Sequence, residues 1–250
     1  MLVGTVRNSS SFLVNDGGGF KQTPFGGLRL LVKMPDHKPR GLFEQNGDSF
    51  VFTSETPYIR NENGYVSVTK AEEPLSTLIP KSENNFAAFE ISEGASGWEC
   101  YVSSARITRA RMYFLFVDGG ILWSDDLREL LPYSTREMNP MGAFSILKYG
   151  EVPEYITVVK DVFCVPVGQE LSFSEEELNT WIESREIPRE AFNFFFKLDF
   201  PMDGGDIPKT EKLMDAQFEF VASQNPIVPI SGGVDSTLAN CLIDKFIDKP

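Results

Sequence analysis

The sequence is poor in the residues that most often supply metal ligands and nucleophiles. It contains one histidine, His37, and three cysteines, Cys100, Cys164 and Cys241, which are widely spaced and form no CxxC pair. A single histidine argues against histidine-based catalytic triads and against multi-histidine metal sites. Widely spaced cysteines in odd number are typical of buried thiols in a reducing compartment rather than of a disulfide framework.

Long hydrophobic runs and an excess of basic residues are also missing. No segment approaches the roughly 20 apolar residues of a membrane span, and the opening MLVGTVRNSSSF has no apolar core of the kind that signal peptides carry. Lys and Arg number 23 against 36 Asp and Glu, which gives a net charge of −13. Nucleic-acid binding needs clustered basic residues, so we expect no nucleic-acid partner. The missing apolar runs lead us to expect a cytoplasmic protein without a membrane partner.

The 250 residues are enough for one large domain or two medium ones. Short alternating segments between glycine and asparagine turns predict β-structure in the first hundred residues, most clearly at Ser49–Thr53, Tyr65–Val68 and Phe86–Ile91.

From residue 111 the predicted elements are easier to delimit. In chain order they are a strand at Arg111–Val117, a turn at Asp118–Gly120, a strand at Ile121–Trp123, a helix capped by Ser124, a helix at Met141–Tyr149, a strand at Thr157–Val159, a strand pair at 163–168 and 171–173, and an acidic helix within Glu175–Arg189. The Gly-, Pro- and Asp-rich stretch Asp199–Pro208 predicts a linker. A helix from Lys209 to Asn225-Pro226 follows it.

The segment PIVPISGGVDSTLANCL, residues 226–242, carries the most specific chemistry. Ile227–Ile230 is predicted to be a strand, followed by a glycine turn and a helix that starts near Ser236. That helix is expected to bury Leu238, Cys241, Leu242 and Phe246.

Free N–H groups at the helix start and the hydroxyls of Ser231, Ser236 and Thr237 form a cradle for phosphate oxygens. Asp235 would repel bare phosphate, but its carboxylate suits a Mg²⁺ ion shared with phosphate oxygens. The alternative is a plain glycine turn in which serine caps the helix.

The hexapeptide SGGVDS resembles the pyrophosphate-binding loop of the adenine-nucleotide α-hydrolases, the group that contains asparagine synthetase, GMP synthetase and NAD synthetase. Three upstream blocks follow the order of the asparagine synthetase amino-terminal domain: FAAFEIS (86–92), RITRARMYFLFVDGGILWSDDLRELL (106–131) and ILKYGEVPEYITVVKDVFCVPVGQELSF (146–173). The last block is similar to the family pattern YGxVPxxxTxxxxVxxxPxGxxL. The resemblance to the asparagine synthetase family covers residues 86 to 250.

The resemblance implies an α+β and then an α/β architecture. An Ntn-hydrolase-like αββα sandwich is expected at 1–200, with its glutaminase site inactive. A linker is expected at 201–208, and the beginning of an adenine-nucleotide α-hydrolase-like parallel α/β synthetase domain at 209–250. ATP and Mg²⁺ are the implied cofactors, with Asp235 as the metal ligand. The residues that the family pattern assigns to ATP or pyrophosphate are Ile230, Ser231, Gly232, Gly233, Asp235 and Ser236.

The amino-terminal nucleophile of the glutamine-using members has no counterpart here. Those members begin Met-Cys, and the exposed cysteine attacks the amide of glutamine. This chain begins Met1-Leu2, and none of its cysteines lies near the start. Arg29 and Asn46-Gly47 are loose candidates for glutamine-holding residues, but they fit ordinary hairpins better.

The predicted function is therefore an ATP-dependent ligase that adenylates a carboxylate, releases pyrophosphate and forms an amide. The substrate itself supplies the amine, as in the β-lactam synthetases and lasso-peptide cyclases that the chain resembles. Two alternatives stay open: an asparagine synthetase that uses glutamine or ammonia, and a non-catalytic scaffold or one half of a split synthetase.

The expected partners are a small-molecule or peptide carboxylate and an amine. A second copy in a homodimer, or a second chain that completes the synthetase domain, is also expected. The completing chain is expected because only the first strand–helix unit of the nucleotide-binding sheet precedes Pro250.

Overall fold

The computed structural model is a mixed α/β protein with antiparallel sheets. It describes residues 2–7, 21–25, 28–33, 40–46, 49–61, 64–94, 97–105, 110–152, 155–195, 207–224, 231 and 233–247. Its contacts divide the chain into two units. The first comprises Met1–Tyr58 with Ser67–Lys197, and the second comprises Ile59–Val66 with Leu198–Pro250.

The secondary structure of the described residues consists of short strands and short helices. The strands are β1 (Leu2–Arg7), β2 (Lys21–Phe25), β3 (Leu28–Lys33), β4 (Phe43–Asn46), β5 (Ser49–Thr53), β6 (Tyr58–Asn61), β7 (Gly64–Ser67), β8 (Ala88–Gly94), β9 (Gly97–Ser103), β10 (Tyr113–Val117), β11 (Gly120–Ser124), β12 (Val162–Cys164), β13 (Gln169–Ser174) and β14 (Asn193–Phe194). The helices are α1 (Leu75–Lys81), α2 (Leu127–Leu130), α3 (Pro140–Tyr149), α4 (Glu175–Ser184), α5 (Ile207–Ser223) and α6 (Val234–Asp244).

Two six-stranded sheets form the first unit. Sheet A has the order β12-β10-β11-β1-β3-β2, and sheet B has the order β14-β13-β9-β8-β5-β4. Every pairing between neighbouring strands of these sheets is antiparallel. β1 lies between β11 and β3, so a strand near the start of the chain is locked in the interior of its sheet.

One hydrophobic core is shared by the two sheets, because alternate residues of each strand face the same side. Trp123 of β11 lies at its centre. Its ring centroid is 5.8 Å from that of Phe173 and 6.2 Å from that of Phe89, both of sheet B, and 5.3 Å from that of Phe114 in its own sheet. The indole Nε1 donates to Thr5 Oγ1 at 3.3 Å, so the polar atom of this buried ring is paired.

The outer faces of the two sheets differ in polarity. The outer face of sheet A is apolar and packs with Leu130 of α2 in a second cluster that includes Leu2, Leu31, Leu115 and Leu122. The outer face of sheet B carries polar side chains instead, beginning with Glu90 of β8. Oε2 of Glu90 accepts a hydrogen bond from the backbone N–H of Leu75 at 2.7 Å, which ties α1 to this face.

Most predicted elements of this unit are present, with three corrections. Asp126, not Ser124, caps α2, because its side chain accepts from the N–H of Arg128. Thr157–Val159 forms only an isolated bridge, at Val159. The predicted strand pair near 163–173 is two strands in different sheets: β12 pairs with β10 in sheet A, and β13 pairs with β9 in sheet B.

The second unit contains α5, α6 and a two-stranded segment formed by most of β6 and β7. The predicted helix is present as α5, two residues earlier than expected, and its Phe220 ring lies 5.2 Å from that of Tyr65. α6 packs against α5 through the face that carries Ile243, so Leu238 and Cys241 are exposed rather than buried as predicted.

The described residues contain no parallel α/β unit. The strand expected to begin one, Ile227–Ile230, lies outside them, and so does the predicted linker up to residue 206. Residues 207 and 208 of that linker form the start of α5. Within the same described stretches, no helix is both long and apolar enough to cross a bilayer.

We predict that Trp123→Phe lowers the free energy of unfolding by about 2–3 kcal/mol. The smaller ring leaves a cavity between the sheets and removes the donor to Thr5. Urea denaturation followed by circular dichroism measures the effect. Phe194→Ala is the matched control, because this ring is 69% exposed and its loss should change stability by less than about 0.5 kcal/mol. Equal stability of the two variants would contradict a core centred on Trp123.

Candidate functional site

The SGGVDS loop lies at the start of α6, and the structure describes four of its six predicted binding residues. Ser231, Gly233 and Asp235 are exposed and Ser236 is half-buried. Gly233 is the N-cap residue of α6, with φ −78° and ψ 160°, and the helix begins at Val234. Ile230 and Gly232, the other two predicted residues, lie outside the described part of the chain.

The two serine hydroxyls and the Gly233 backbone form a closed ring of hydrogen bonds. Ser236 Oγ donates to the carbonyl oxygen of Gly233 at 3.0 Å, and the N–H of Gly233 donates to Ser231 Oγ at 3.4 Å. The two hydroxyl oxygens are 2.9 Å apart. Since the Ser236 proton is used on the carbonyl, Ser231 is the donor in that contact. The ring brings both predicted hydroxyls to one side of the helix start.

Helix geometry leaves donors available beside these hydroxyls. The first intrahelical bond of α6 runs from the N–H of Thr237 to the carbonyl of Gly233 at 3.1 Å. The amides of Val234, Asp235 and Ser236 precede it and therefore have no acceptor within the helix. Together with the helix dipole they favour an anion at this position.

Thr237 behaves differently from the prediction. Its Oγ1 donates to the same Gly233 carbonyl at 2.9 Å, so its proton is directed back into the helix instead of toward a ligand. The hydroxyl part of the cradle is therefore formed by Ser231 and Ser236.

Asp235 lies in the first turn of α6, and its side chain is exposed. Within the described residues its carboxylate has no hydrogen-bond or ion-pair partner. An exposed carboxylate in the first turn of this helix fits a Mg²⁺ ion that takes its other ligands from phosphate oxygens and water. A cluster of three or more His, Cys, Asp or Glu side chains suited to a metal is not found in the described stretches.

The positions considered for glutamine chemistry are structural. Leu2 is fully buried in the outer cluster of sheet A. Arg29 is part of β3 and pairs with Pro24 across a hairpin. Asn46 ends β4 opposite Ser49 of β5, and Gly47 lies outside the described residues. These pairings agree with the hairpin interpretation of both candidates.

The buried cysteines are poorly suited to act as nucleophiles. Burial raises the pKa of Cys100 well above its ordinary range, and the nearby Glu90 adds to the effect. Burial also raises the pKa of Cys164, although Arg111 opposes the shift. Because the thiolate is the reactive form, both thiols are expected to be inert. Cys241 is the exposed cysteine.

A polar cavity that the sequence reasoning missed lies on the outer face of sheet B. It has a volume of about 420 Å³, and its lining includes Glu90, Glu99, Tyr101 and Ser172. Glu90 and Ser172 lie on either side of Tyr101 in the strand register, which places the three on one row across β8, β9 and β13. The alternation of polar and apolar residues in these strands was the available clue.

Burial influences the protonation of two side chains in this cavity, Tyr101 and Glu90. It raises the pKa of Tyr101, and the hydrogen bond from the Tyr101 hydroxyl to Glu170 Oε2, 2.7 Å long, raises it further. Burial also raises the pKa of Glu90, and the hydrogen bond from the N–H of Leu75 only partly offsets this. Tyr101 therefore stays protonated, and ionised Glu90 costs folding free energy.

We predict that Glu90→Gln raises the melting temperature at pH 7 by about 1–3 °C. A carboxyl whose pKa is raised by folding destabilises the protein progressively as pH rises above its ordinary value of 4.5. Glutamine removes this penalty and still accepts from Leu75. The difference should disappear below that pH in thermal melts. Glu93→Gln, a change at an exposed position of the same strand, should leave the melting temperature unchanged at both pH values. A Glu90→Gln variant that is less stable than wild type at neutral pH would contradict the prediction.

Comparison with known proteins adds no family to this geometry. A scan against protein-family models finds no matching family, and a search of curated proteins finds no significant match. The function is therefore inferred from the loop at the start of α6 and from the ordered sequence blocks that precede it.

Proposed function

We propose that the protein is an ATP-dependent, amide-bond-forming ligase of the asparagine synthetase type. It adenylates a carboxylate with release of pyrophosphate, and the amine comes from the substrate rather than from glutamine. The observation that carries the proposal is the SGGVDS loop, in which the hydroxyls of Ser231 and Ser236 meet at the start of α6 and Asp235 lies in its first turn. Its cellular location is proposed to be the cytoplasm.

The architecture of the first unit is compatible with the finer fold that the proposal requires. An αββα sandwich of the Ntn-hydrolase type needs two sheets that share a core and helices outside them. Sheets A and B share the core around Trp123, α2 packs on the outer face of sheet A, and α1 is tied to the outer face of sheet B. The same proposal assigns residues 1–200 to this domain and 209–250 to the start of a parallel α/β synthetase domain.

Each residue of the loop has a defined role in the proposed site. The first-turn amides of α6, the hydroxyls of Ser231 and Ser236 and the backbone at Gly232 and Gly233 would hold the β- and γ-phosphates of ATP. Asp235 would hold Mg²⁺, and Ile230 would line the nucleotide site. When bound, the metal offsets the charge that develops on pyrophosphate. A phosphate oxygen only accepts hydrogen bonds, so the two serine protons must leave the ring and turn outward. The resting ring thus keeps both donors paired until an anion competes for them.

The lack of glutaminase activity is supported by packing. Leu2 occupies the apolar cluster outside sheet A, where an ionised thiolate would be desolvated. Cys100 and Cys164 are buried with raised pKa values. The described residues therefore offer no activated thiol at a strand end for attack on glutamine.

We predict opposite effects of Asp235→Asn with and without Mg²⁺. With Mg²⁺, the neutral amide is a poor metal ligand, and pyrophosphate should bind on the order of tenfold or more weakly. In EDTA, the same change removes a repulsive charge and should strengthen pyrophosphate binding. Isothermal titration calorimetry measures both, and turnover in the complete enzyme should fall on the order of a hundredfold.

The matched control is Asp244→Asn, the same substitution at the other end of α6. It should leave pyrophosphate binding unchanged in both conditions. If Asp235 holds no metal, its replacement by Asn would not weaken pyrophosphate binding in the presence of Mg²⁺. If the wild-type protein does not bind Mg²⁺–pyrophosphate, the result contradicts the ligase proposal and favours the scaffold alternative.

A second prediction concerns glutamine. We expect the native protein to release no glutamate from glutamine above the buffer rate, measured with a coupled glutamate dehydrogenase assay. Iodoacetamide under native conditions should modify Cys241 and spare Cys100 and Cys164, as read by peptide mass spectrometry. Glutamate release that alkylation abolishes would instead support an asparagine synthetase that uses glutamine.

A further inference from the structure

A second cavity lies beside the apolar cluster on the outer face of sheet A. Its volume is about 260 Å³, and we call it the Arg111 cavity after one of its lining residues. The aliphatic part of its lining comprises Leu127, Ile146, Ile156 and Val158. Pockets that bind small molecules are lined mainly by apolar side chains and carry a few polar groups at fixed positions. The polar groups of the Arg111 cavity therefore indicate which ligand it fits.

Arg111 and Tyr113 lie on the same side of the chain where β10 begins. Met112, between them, is buried in the core that the two sheets share, and its carbonyl accepts from the N–H of Val165 at 2.8 Å. Successive side chains of extended backbone point to opposite faces. The guanidinium and the phenol are therefore neighbours on the outer face of sheet A, where both line the cavity.

The Arg111 guanidinium is held at one nitrogen and free at the other two. Nη1 donates to the carbonyl oxygen of Val152 at 2.9 Å and lies 3.7 Å from Cys164 Sγ. Nε and Nη2 have no acceptor among the described residues, and no carboxylate there forms an ion pair with Arg111. These two nitrogens form the edge of a guanidinium that donates two parallel hydrogen bonds to one carboxylate.

The Tyr113 hydroxyl adds another available donor. The residue is half-buried, and its hydroxyl has no hydrogen-bond partner in the part of the chain that the structure describes. Burial is the main cause that raises the pKa of Tyr113, so the phenol keeps its proton at neutral pH. The Thr157 hydroxyl, by contrast, is already bonded to the carbonyl of Val162 at 2.7 Å. The Arg111 cavity thus offers two side chains with free donors, which suits a ligand that accepts hydrogen bonds.

Two features of the lining limit the charge that such a ligand can carry. Glu151 is exposed and is not paired with Arg111 within the described residues. Gly150, which also lines the cavity, ends α3, and the carboxyl end of a helix disfavours anions. The guanidinium can match one negative charge, whereas a second would meet the Glu151 carboxylate without a cation. The lining therefore favours a monoanion.

We propose that the Arg111 cavity binds a small monocarboxylate that has an apolar body. The carboxylate accepts a pair of hydrogen bonds from Nε and Nη2 of Arg111 and a further one from the Tyr113 hydroxyl. Such charge-assisted bonds are stronger than neutral ones, and the aliphatic lining removes the apolar body from water. The site lies within the first unit, and it does not depend on the ligase activity proposed for the loop at α6.

The test is a nuclear magnetic resonance titration of the 250-residue protein with butanoate, hexanoate, octanoate and phenylacetate at constant ionic strength. We expect at least one of these acids to bind with a dissociation constant of about 0.1–1 mM. The amide signals of Arg111, Tyr113 and Thr157 should shift. Acetate, the alcohol with the same skeleton as the best acid, and the corresponding dicarboxylate should each bind about tenfold or more weakly.

Two variants test the donors, each with a matched control. Tyr113→Phe should weaken binding of the acid by about threefold to tenfold, whereas Tyr149→Phe, at a position 61% exposed on α3, should not. Arg111→Gln should weaken binding of the acid by about tenfold or more and leave binding of the alcohol unchanged. Arg136→Gln should bind like wild type, although Arg136 Nε also donates to a backbone carbonyl, that of Leu131.

The outcomes that overturn the proposal are distinct from those that concern the loop at α6. They are no binding of any of the four acids at about 10 mM, alcohols that bind as tightly as acids, and a folded Arg111→Gln protein that binds acids as tightly as wild type. If circular dichroism shows that Arg111→Gln does not fold, the comparison of acid with alcohol in the wild type and the effect of Tyr113→Phe decide the question.

Discussion

The aromatic packing around Trp123 is the interaction on which the first unit depends. Trp123 belongs to sheet A, and it contacts Phe89 and Phe173 of sheet B, while Phe173 in turn contacts Trp181 of α4 at a centroid distance of 5.0 Å. Each sheet has an apolar inner face, and the two inner faces bury one another. The register of every strand follows from this, since a slip by one residue would expose the inner row.

The same alternation explains why the two outer faces differ. In sheet A the residues between the core positions are also apolar, and they pack under α2 and its neighbouring segments. In sheet B they are polar, and the space beside them is a cavity in which burial raises the pKa of Glu90 and of Tyr101. An ionised carboxyl buried in this cavity costs stability that an apolar face would not cost.

The loop at the start of α6 depends on local geometry more than on packing. Its hydroxyls and the Gly233 backbone pair with one another in a ring, so the free site satisfies its own donors. Binding of a phosphate would exchange these bonds for charge-assisted ones, which are stronger. The Asp235 carboxylate would repel bare phosphate and favours phosphate binding only through a Mg²⁺ ion. Its substitution is therefore the most informative test of the proposed function.

The sequence by itself determined the elements whose patterns are local. The hairpin β10–β11 follows from an apolar run around Asp118-Gly119, and α3 and α6 follow from a capping Asn139 and from the glycines of SGGVDS. The sequence also predicted that the hydroxyls of Ser231 and Ser236 lie together, and their oxygens are 2.9 Å apart. Only the tertiary structure decided which sheet each strand joins, as β12 and β13 illustrate, since pairing partners 47 to 75 residues apart leave no local mark. It also decided which side of a helix is buried: α6 buries Ile243 instead of Leu238, and α3 buries Gly142 instead of Phe144. In α3 the choice rests on the backbone at Thr157, which Gly142 approaches closely, and hydrophobic spacing carries no information about that shape.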